Sequence, residues 1–253
     1  MTRWHWLAAG ALIVVFAVAL APARLATQFV NESTANGGQL RLLQPSGTVW
    51  SGSADLLVNA APSGRVAWRF LPTTLFRLAV GLRFDLTAKD FSAEGRLLKP
   101  FSGQPEIHNL NAQVDQIALQ RWLARYDIVP SGTLVIEDLD LTELAFGDNG
   151  AVTALSSSGA ANWSGGNLSY RLSGRTTAVI LPPLVASIST EESLPNLRVT
   201  EKGKNLPLIL ARLTNRGSTA IGITQGFTRL AGQPWPGSEP DHKVVLEVEE
   251  MLH

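Results

Sequence analysis

The chain has 253 residues, of which 21 are basic and 21 acidic, so its formal net charge is zero. Because no excess positive charge is available to neutralise phosphates, nucleic acid is excluded as an expected partner. It has no cysteine, which excludes disulfides, thiolate metal sites and cysteine nucleophiles. Charged residues make up only 17% and hydrophobic ones 45%, a balance that favours association with a membrane.

The N-terminus predicts a transmembrane anchor over residues 6–23. This segment reads WLAAGALIVVFAVALAPA, and its 18 uncharged residues would extend about 27 Å as a helix, close to the hydrocarbon thickness of a bilayer. The alternative is a signal peptide cleaved after Ala21-Pro22-Ala23. Because the charge before the span, Arg3, is positive, both alternatives place residues 24–253 outside the cytoplasm. The retained anchor would leave residues 1–5 as a cytoplasmic tail.

Period-two alternation after this span predicts a mainly β protein. In LRFDLTAK, residues 82–89, Leu82, Phe84 and Leu86 alternate with polar residues, as in a half-buried antiparallel strand. Similar alternation recurs near 65–70, 167–172 and 243–248, and residues 132–146 predict a longer strand.

We therefore expect a curved, open antiparallel sheet. The proline-rich residues 181–196 are interpreted as a loop or edge, since proline suits the interior of a sheet poorly. In the longer strand, Val135, Leu139 and Leu141 are expected to share one face.

Two segments predict short helices. In IALQRWLARY, residues 117–126, Leu119, Trp122, Leu123 and Tyr126 follow the spacing of one helical stripe. The second short helix is expected around residues 227–230.

The tripeptide Trp-Ser-Gly occurs twice, at Trp50 and at Trp163, each time followed by a strand-like segment. One interpretation is a degenerate internal repeat, in which the two stretches are equivalent turns; the other is coincidence. Trp50, Trp68 and Trp163 are candidate core aromatics of the sheet or, alternatively, lining residues of a groove. Nearby glycines would make room for the indoles or permit a bulge.

The segment QPWPG, residues 233–237, is the candidate partner-binding site. Pro234 and Pro236 restrict the backbone on both sides of Trp235, which lowers the entropy lost on docking. Trp is also typical of interface anchors. The following residues 242–250 predict a strand at a sheet edge, where a partner strand could pair.

Motifs for catalysis are missing from the sequence. It contains no H-E-x-x-H, no G-x-S-x-G, no P-loop and no dinucleotide-binding glycine motif. The acidic group within residues 137–143 is interpreted as a solvated strand face. We therefore expect no catalytic residues, no cofactor, no bound metal and no enzymatic activity.

The order of these segments resembles protein N of the type II secretion system. The resemblance runs from the apolar N-terminal span through SGTVWSGSADL and VAWRF to GTLVIEDLDL, SGAANWSG and GITQGFTRLAGQPWPG. It implies a single-pass inner-membrane protein of Gram-negative bacteria with a periplasmic β-rich domain. The implied function is that of an accessory component, acting by protein–protein interaction in the export of folded periplasmic proteins across the outer membrane.

The resemblance also implies an alternative function. The family is distantly similar to the AsmA-like proteins, whose long sheets form an apolar groove used in lipid transport. On this alternative the domain would handle a lipid or a lipoprotein in a comparable groove. Expected partners are therefore other secretion components, the inner membrane and, in the alternative, a lipid.

Overall fold

The computed structural model describes residues 16, 19–33, 40–58, 61–146, 152–172, 174–191, 194–213 and 218–251. Three α-helices lie in this part of the chain: α1 (Ala23–Ser33), α2 (Gln116–Leu123) and α3 (Gln225–Leu230). Two 3-10 helices cover Pro72–Arg77 and Ala124–Tyr126. The strands are β1 (Leu40–Gly47), β2 (Ser51–Val58), β3 (Ala61–Phe70), β4 (Ala79–Thr87), β5 (Phe91–Pro100), β6 (Glu106–Val114), β7 (Ile128–Pro130), β8 (Leu134–Phe146), β9 (Val152–Trp163), β10 (Gly166–Leu172), β11 (Arg175–Leu181), β12 (Leu184–Glu191), β13 (Leu194–Glu201), β14 (Pro207–Leu213), β15 (Ser218–Thr224) and β16 (Val244–Met251).

A single antiparallel sheet dominates the fold. Its thirteen strands follow the order β1-β2-β3-β4-β5-β6-β8-β9-β12-β13-β14-β15-β16, so each strand pairs with the preceding main-sheet strand in the sequence. The predicted mainly β, antiparallel architecture with few short helices is confirmed. The order begins at β1 and ends at β16, which are therefore the two edge strands.

The remaining strands form a small sheet in the order β11-β10-β7. Because successive strands alternate in direction, the strand ends form two rims. The Trp163 rim carries α2, the small sheet and α3, all of which follow strands that end there. The Trp50 rim carries the turn at 48–50, the 3-10 helix Pro72–Arg77 and the connection at 101–105.

The main buried cluster lies at the Trp163 rim. Val114, Ala118 and Leu119 are buried, and Phe91, Leu134 and Trp163 pack against them. The helix α2 supplies two of these buried residues, at the place where the sequence predicts a helix. The stripe is only partly buried, since Trp122 is 48% and Tyr126 43% exposed.

The helix α1 was not predicted. Its buried and half-buried positions include Ala23, Ala26, Thr27 and Val30, which have the spacing i, i+3, i+4 and i+7. They are small or β-branched, so the stripe is weak in the sequence. This face packs α1 against the edge strand β1.

The interpretation of residues 181–196 as loop or edge is wrong. They include β12 and the start of β13, which are interior strands of the main sheet. Pro182 and Pro183 lie in the connection between β11 and β12. Pro195 is the second residue of β13, and pairing with β14 begins only at Asn196. The prolines are tolerated because they lie where few ladder hydrogen bonds are needed.

The predicted face of β8 is also wrong, because of a bulge. The register against β9 shifts between Glu137 and Asp140, and Asp138 has a positive φ of 46°. The extra residue moves Leu139 and Leu141 onto the face of Leu134, away from Val135.

The neighbouring strand β6 has a matching irregularity. Asn109 has a φ of 49°, and its backbone N–H donates to Asp140 Oδ1 at 2.7 Å. In turn Asp138 N–H donates to Asn111 Oδ1 at 3.0 Å. Side chains thus bond backbone groups that the two bulges remove from the ladder.

The predicted anchor at residues 6–23 lies mostly outside the described residues, as does the tail at 1–5. Within the described residues, we find no helix that is both long and apolar enough to cross a bilayer.

Candidate functional site

The candidate partner-binding corner lies between α3 and β16, at the Trp163 rim. The predicted short helix is confirmed as α3, which begins after the fully buried Thr224. The Thr224 hydroxyl accepts from Phe227 N–H at 3.4 Å, and it lies 3.0 Å from the carbonyl oxygens of Pro207 and Leu208. The start of α3 is therefore fixed to the start of β14.

The backbone of Trp235 is held on both sides by α3. Its N–H donates to Thr228 Oγ1 at 3.4 Å, and its carbonyl accepts from Gln225 Nε2 at 3.2 Å. Gln225 is only 1% exposed, so a buried side chain holds the Trp235 carbonyl in place. The Trp235 side chain is 43% exposed, and Pro234 and Pro236 are exposed beside it. A half-exposed indole on a fixed backbone can contact a partner with little loss of entropy.

Two further contacts anchor the corner. Tyr170 of the small sheet donates its hydroxyl hydrogen to Ala231 O at 2.6 Å. Arg229 of α3 forms an ion pair with Asp241, just before β16. The corner is thus connected to both sheets.

The strand after the corner, β16, is an edge of the main sheet, as predicted. It pairs with β15 from Thr224–Val244 to Ser218–Met251. Within the described part of the chain, nothing pairs with its outer side. Leu246 and Val248 are 38% and 47% exposed, so this edge presents apolar side chains as well as backbone groups.

The two Trp-Ser-Gly stretches lie at opposite rims. Trp50 belongs to the turn that joins the paired strands β1 and β2. Trp163 ends β9, which does not pair with the following strand β10. The stretches are therefore not equivalent turns, and their pairing does not support an internal repeat.

The three candidate aromatics have distinct surroundings, and all are half-buried. The ring of Trp50 meets Phe70 edge-on, with centroids 5.0 Å apart. Trp68 Nε1–H donates to Val49 O at 3.1 Å, and Trp163 Nε1–H donates to Ser131 O at 3.0 Å.

Glycine makes room for one of these indoles. Gly52 lies directly opposite Trp68, and a Cβ at Gly52 would lie 2.7 Å from the Trp68 ring. A larger residue at position 52 would therefore displace the indole.

An apolar row crosses the main sheet from β2 to β16 on the face of Trp68 and Trp163. It takes one residue from each main-sheet strand from β2 to β16, and each residue lies directly opposite the next. The row consists of Ala54, Val66, Leu86, Ala93, Ala112, Ile136, Ala161, Ala186, Val199, Ile209, Ile223 and Leu246. Apart from the buried Ala54 and the exposed Leu246, these residues are half-buried. A long apolar surface is therefore covered only in part.

The opposite face is polar. Arg69, Arg83 and Arg96 lie directly opposite one another on β3, β4 and β5. Their like charges repel, and Arg83 is paired diagonally with Glu94 at 2.9 Å. These exposed arginines lie on the face opposite the apolar row, so this part of the sheet has one polar and one apolar face.

The polar side chains around the bulge of β6 contact one another and the neighbouring strand β8. His108 Nε2 lies 2.9 Å from Glu106 Oε2, and its Nδ1 lies 3.6 Å from Asp140 Oδ1. Across the described ranges, no group of three or more His, Asp or Glu side chains is suited to holding a metal ion.

Comparison with known proteins identifies the family. A family model described as "Type II secretion system (T2SS), protein N" matches residues 38–234, which is most of the chain. The match covers the sheet from before β1 to Pro234, one residue short of Trp235. No curated protein and no solved structure matches the chain significantly. The chain belongs to the family of type II secretion system protein N.

Proposed function

We propose that this chain is an accessory inner-membrane component of the type II secretion apparatus that acts by protein–protein interaction and has no catalytic activity. Residues 1–5 would be cytoplasmic, residues 6–23 would form the anchor, and residues 24–253 would lie in the periplasm. Family membership supports a role in secretion. The partners would be other components of the same apparatus.

The observation that carries the proposed mode of action is the corner beside the open edge. Trp235 has a fixed backbone and a 43% exposed side chain, and it precedes β16 by fewer than ten residues. A partner could therefore insert a side chain against the indole and add a strand to β16. The backbone hydrogen bonds would supply affinity, and the indole would supply specificity.

Trp235→Ala tests this function. Because the hydrogen bonds of Trp235 to α3 use its backbone, we expect the variant to unfold within about 1 kcal/mol of the wild type. Loss of an interface anchor of about 2 kcal/mol would reduce affinity roughly 30-fold. The measurements are thermal unfolding, secretion of a substrate enzyme, and recovery of the other secretion components with the tagged full chain.

Trp122→Ala is the matched control. Trp122 is 48% exposed, lies at the same rim and packs against Phe91 with ring centroids 5.9 Å apart. This variant should lose a similar amount of stability but retain secretion and complex recovery. Equal losses of stability and recovery in Trp235→Ala would identify Trp235 as a structural plug, and undiminished recovery would contradict the proposed interface.

The alternative function, handling of a lipid or lipoprotein, is favoured by the apolar row. Acyl chains bind along continuous apolar surfaces by removing them from water. The row from Ala54 to Leu246 is such a surface, and most of its side chains are half-buried. An acyl chain lying along it would cross several strands.

Neighbouring alanines on β9 allow this alternative to be tested. Ala161 belongs to the apolar row, whereas Ala160 faces the other side of the sheet, and both are half-buried. A photo-crosslinking amino acid at 161 should capture lipid in cells, detectable by mass spectrometry, whereas the same group at 160 should not. Equal capture at both positions, or none at 161, would contradict the lipid groove.

A further inference from the structure

A compact group of apolar side chains is exposed at the Trp50 rim. The 3-10 helix Pro72–Arg77 and its flanks present Leu75, Phe76 and Leu78, which are 46%, 93% and 68% exposed. Phe101, from the connection after β5, is 66% exposed. We call these four residues the Phe76 patch. Exposed apolar side chains grouped in this way are uncommon on soluble proteins and typical of contact surfaces.

Backbone hydrogen bonds hold the patch together. Leu78 has a left-handed φ of 54°, and its N–H donates to Leu75 O at 3.0 Å, which closes the turn. Phe101 N–H donates to Leu78 O at 2.9 Å, so both connections are joined at this point. The patch is therefore an ordered part of the rim.

The apolar N-terminal segment reaches the same rim. Leu20 N–H donates to Phe16 O at 2.9 Å, as in a helix, and both side chains are more than half exposed. Ala21 O then accepts from Val49 N–H at 2.9 Å, and Pro22 forms a bridge with Thr48. The segment thus joins the sheet at the turn that contains Trp50.

The turn that contains Trp50 is connected to the Phe76 patch through a single residue, Phe70. Trp50 O accepts from Phe70 N–H at 2.6 Å, and the two rings also meet. The 3-10 helix of the patch begins two residues after Phe70. The apolar segment and the Phe76 patch therefore lie on the same rim and on neighbouring connections.

The charge of these connections fits a lipid surface. Residues 48–50, 71–78 and 101–105 contain one charged residue, Arg77, and no acidic one. Arg77 is exposed beside the patch, and Arg24 is exposed at the start of α1. Basic residues next to apolar ones suit the anionic headgroups and the acyl region beneath them.

We propose that the Phe76 patch inserts into the periplasmic leaflet of the inner membrane, beside the N-terminal segment. This inference rests on the membrane anchoring in the proposed function. A single span would leave the sheet free to pivot, whereas a second contact fixes its orientation. Strands β1 to β6 have eight to ten residues at about 3.3 Å each, so their ends at the Trp163 rim would then stand roughly 30 Å from the bilayer surface.

The absence of cysteine from the whole sequence allows single-site labelling. The full chain would be reconstituted into vesicles of phosphatidylethanolamine and phosphatidylglycerol as Phe76→Cys, Ile180→Cys or Phe16→Cys, each labelled with an environment-sensitive fluorophore. Ile180 is the matched control, because it is 79% exposed and lies in β11 at the opposite rim. Phe16, which is 58% exposed, reports on the N-terminal segment.

Lipids spin-labelled about 5–10 Å below the headgroups should quench the label at position 76 to roughly half its emission or less, and leave position 180 unquenched. Quenching at 16 without quenching at 76 would overturn the patch proposal while leaving the anchor intact. Absence of quenching at both 16 and 76 would overturn both. Quenching at 76 alone would support the patch and overturn the anchor. A label shielded at 76 in native membranes but unquenched in these vesicles would contradict the lipid contact and indicate a protein occupant.

Discussion

The two edges of the main sheet are built differently. At β1, the helix α1 packs along the edge, and the Asn31 amide bonds the backbone of Leu42 twice: Nδ2 donates to Leu42 O at 3.0 Å, and Oδ1 accepts from Leu42 N–H at 2.8 Å. At β16, no described residue pairs with the outer side. Open edges invite pairing with other chains, and proteins usually protect them. The contrast indicates that β16 is the edge available to a partner.

Displacing the helix α1 from β1 should cause the largest loss of stability. Thr27 is 3% exposed between α1 and the sheet, so Thr27→Arg would bury an unpaired charge. We expect a loss of about 3–5 kcal/mol in the free energy of unfolding, as for other uncompensated buried charges. Thermal unfolding of the full chain in detergent measures it, and chemical cross-linking would show new self-association through β1. Gln28→Arg, on the exposed side of the same helix, should change neither.

A substitution in the core shows how large a loss of unfolding free energy is when neither edge of the sheet is changed. Trp163→Ala should cost about 3 kcal/mol, the lower end for a large core aromatic, because the indole is half-buried against the α2 cluster. Neither edge should be altered, so cross-linking should stay at the wild-type level. Stability close to that of the wild type would contradict the assignment of Trp163 to the core.

Asn31→Ala tests how the covered edge is closed. It removes both side-chain bonds to Leu42 and should cost about 1–3 kcal/mol, since the Leu42 backbone groups lose their partners. Asn31→Asp retains an acceptor for Leu42 N–H but places negative charge beside Leu42 O. If the amide closes the edge through both bonds, Asp should be destabilised as well. An aspartate variant as stable as the wild type would show that the donor is dispensable.

The smallest effect on stability is expected at the open edge. Val248 is 47% exposed, so Val248→Lys should change the free energy of unfolding by no more than about 0.5 kcal/mol. If a partner strand adds to β16, the same variant should lower recovery of the secretion complex. Wild-type recovery would indicate that the partner contacts another surface. Lys243, which is already exposed just before β16, offers Lys243→Gln as a control.

The sequence predicts those elements of the fold that depend on residues close together in the chain. Alternation in β4 and the stripe in α2 are local patterns, so they predict their elements well. Alternation over residues 242–250 likewise predicts the strand β16, whereas its edge position depends on the order of the sheet. The Trp235 corner was recognisable from two prolines, but its fixation by the buried Gln225 depends on a tertiary contact that no short pattern reveals.

The features missed depend on neighbours distant in the sequence. The bulge at Asp138 is compensated by Asn111 of another strand, so its reversal of the apolar face cannot be read from β8 alone. The helix α1 buries alanine and threonine, which carry little hydrophobic signal. The prolines near β12 and β13 predicted a break, but the strands accommodate them at their ends.

The sequential order of the main sheet also has a consequence for how the chain folds. Every main-sheet strand from β2 onward pairs with a strand that was synthesised before it. The longest interruptions are the two insertions that build the small sheet and the segment that contains α3. Such local pairings close short loops, which favours rapid growth of structure from the N-terminus. During that growth the latest strand is always an unpaired edge, prone to misassociation until the next one arrives. Because no described residue pairs with the outer side of β16, this edge resembles the unpaired edge of such an intermediate.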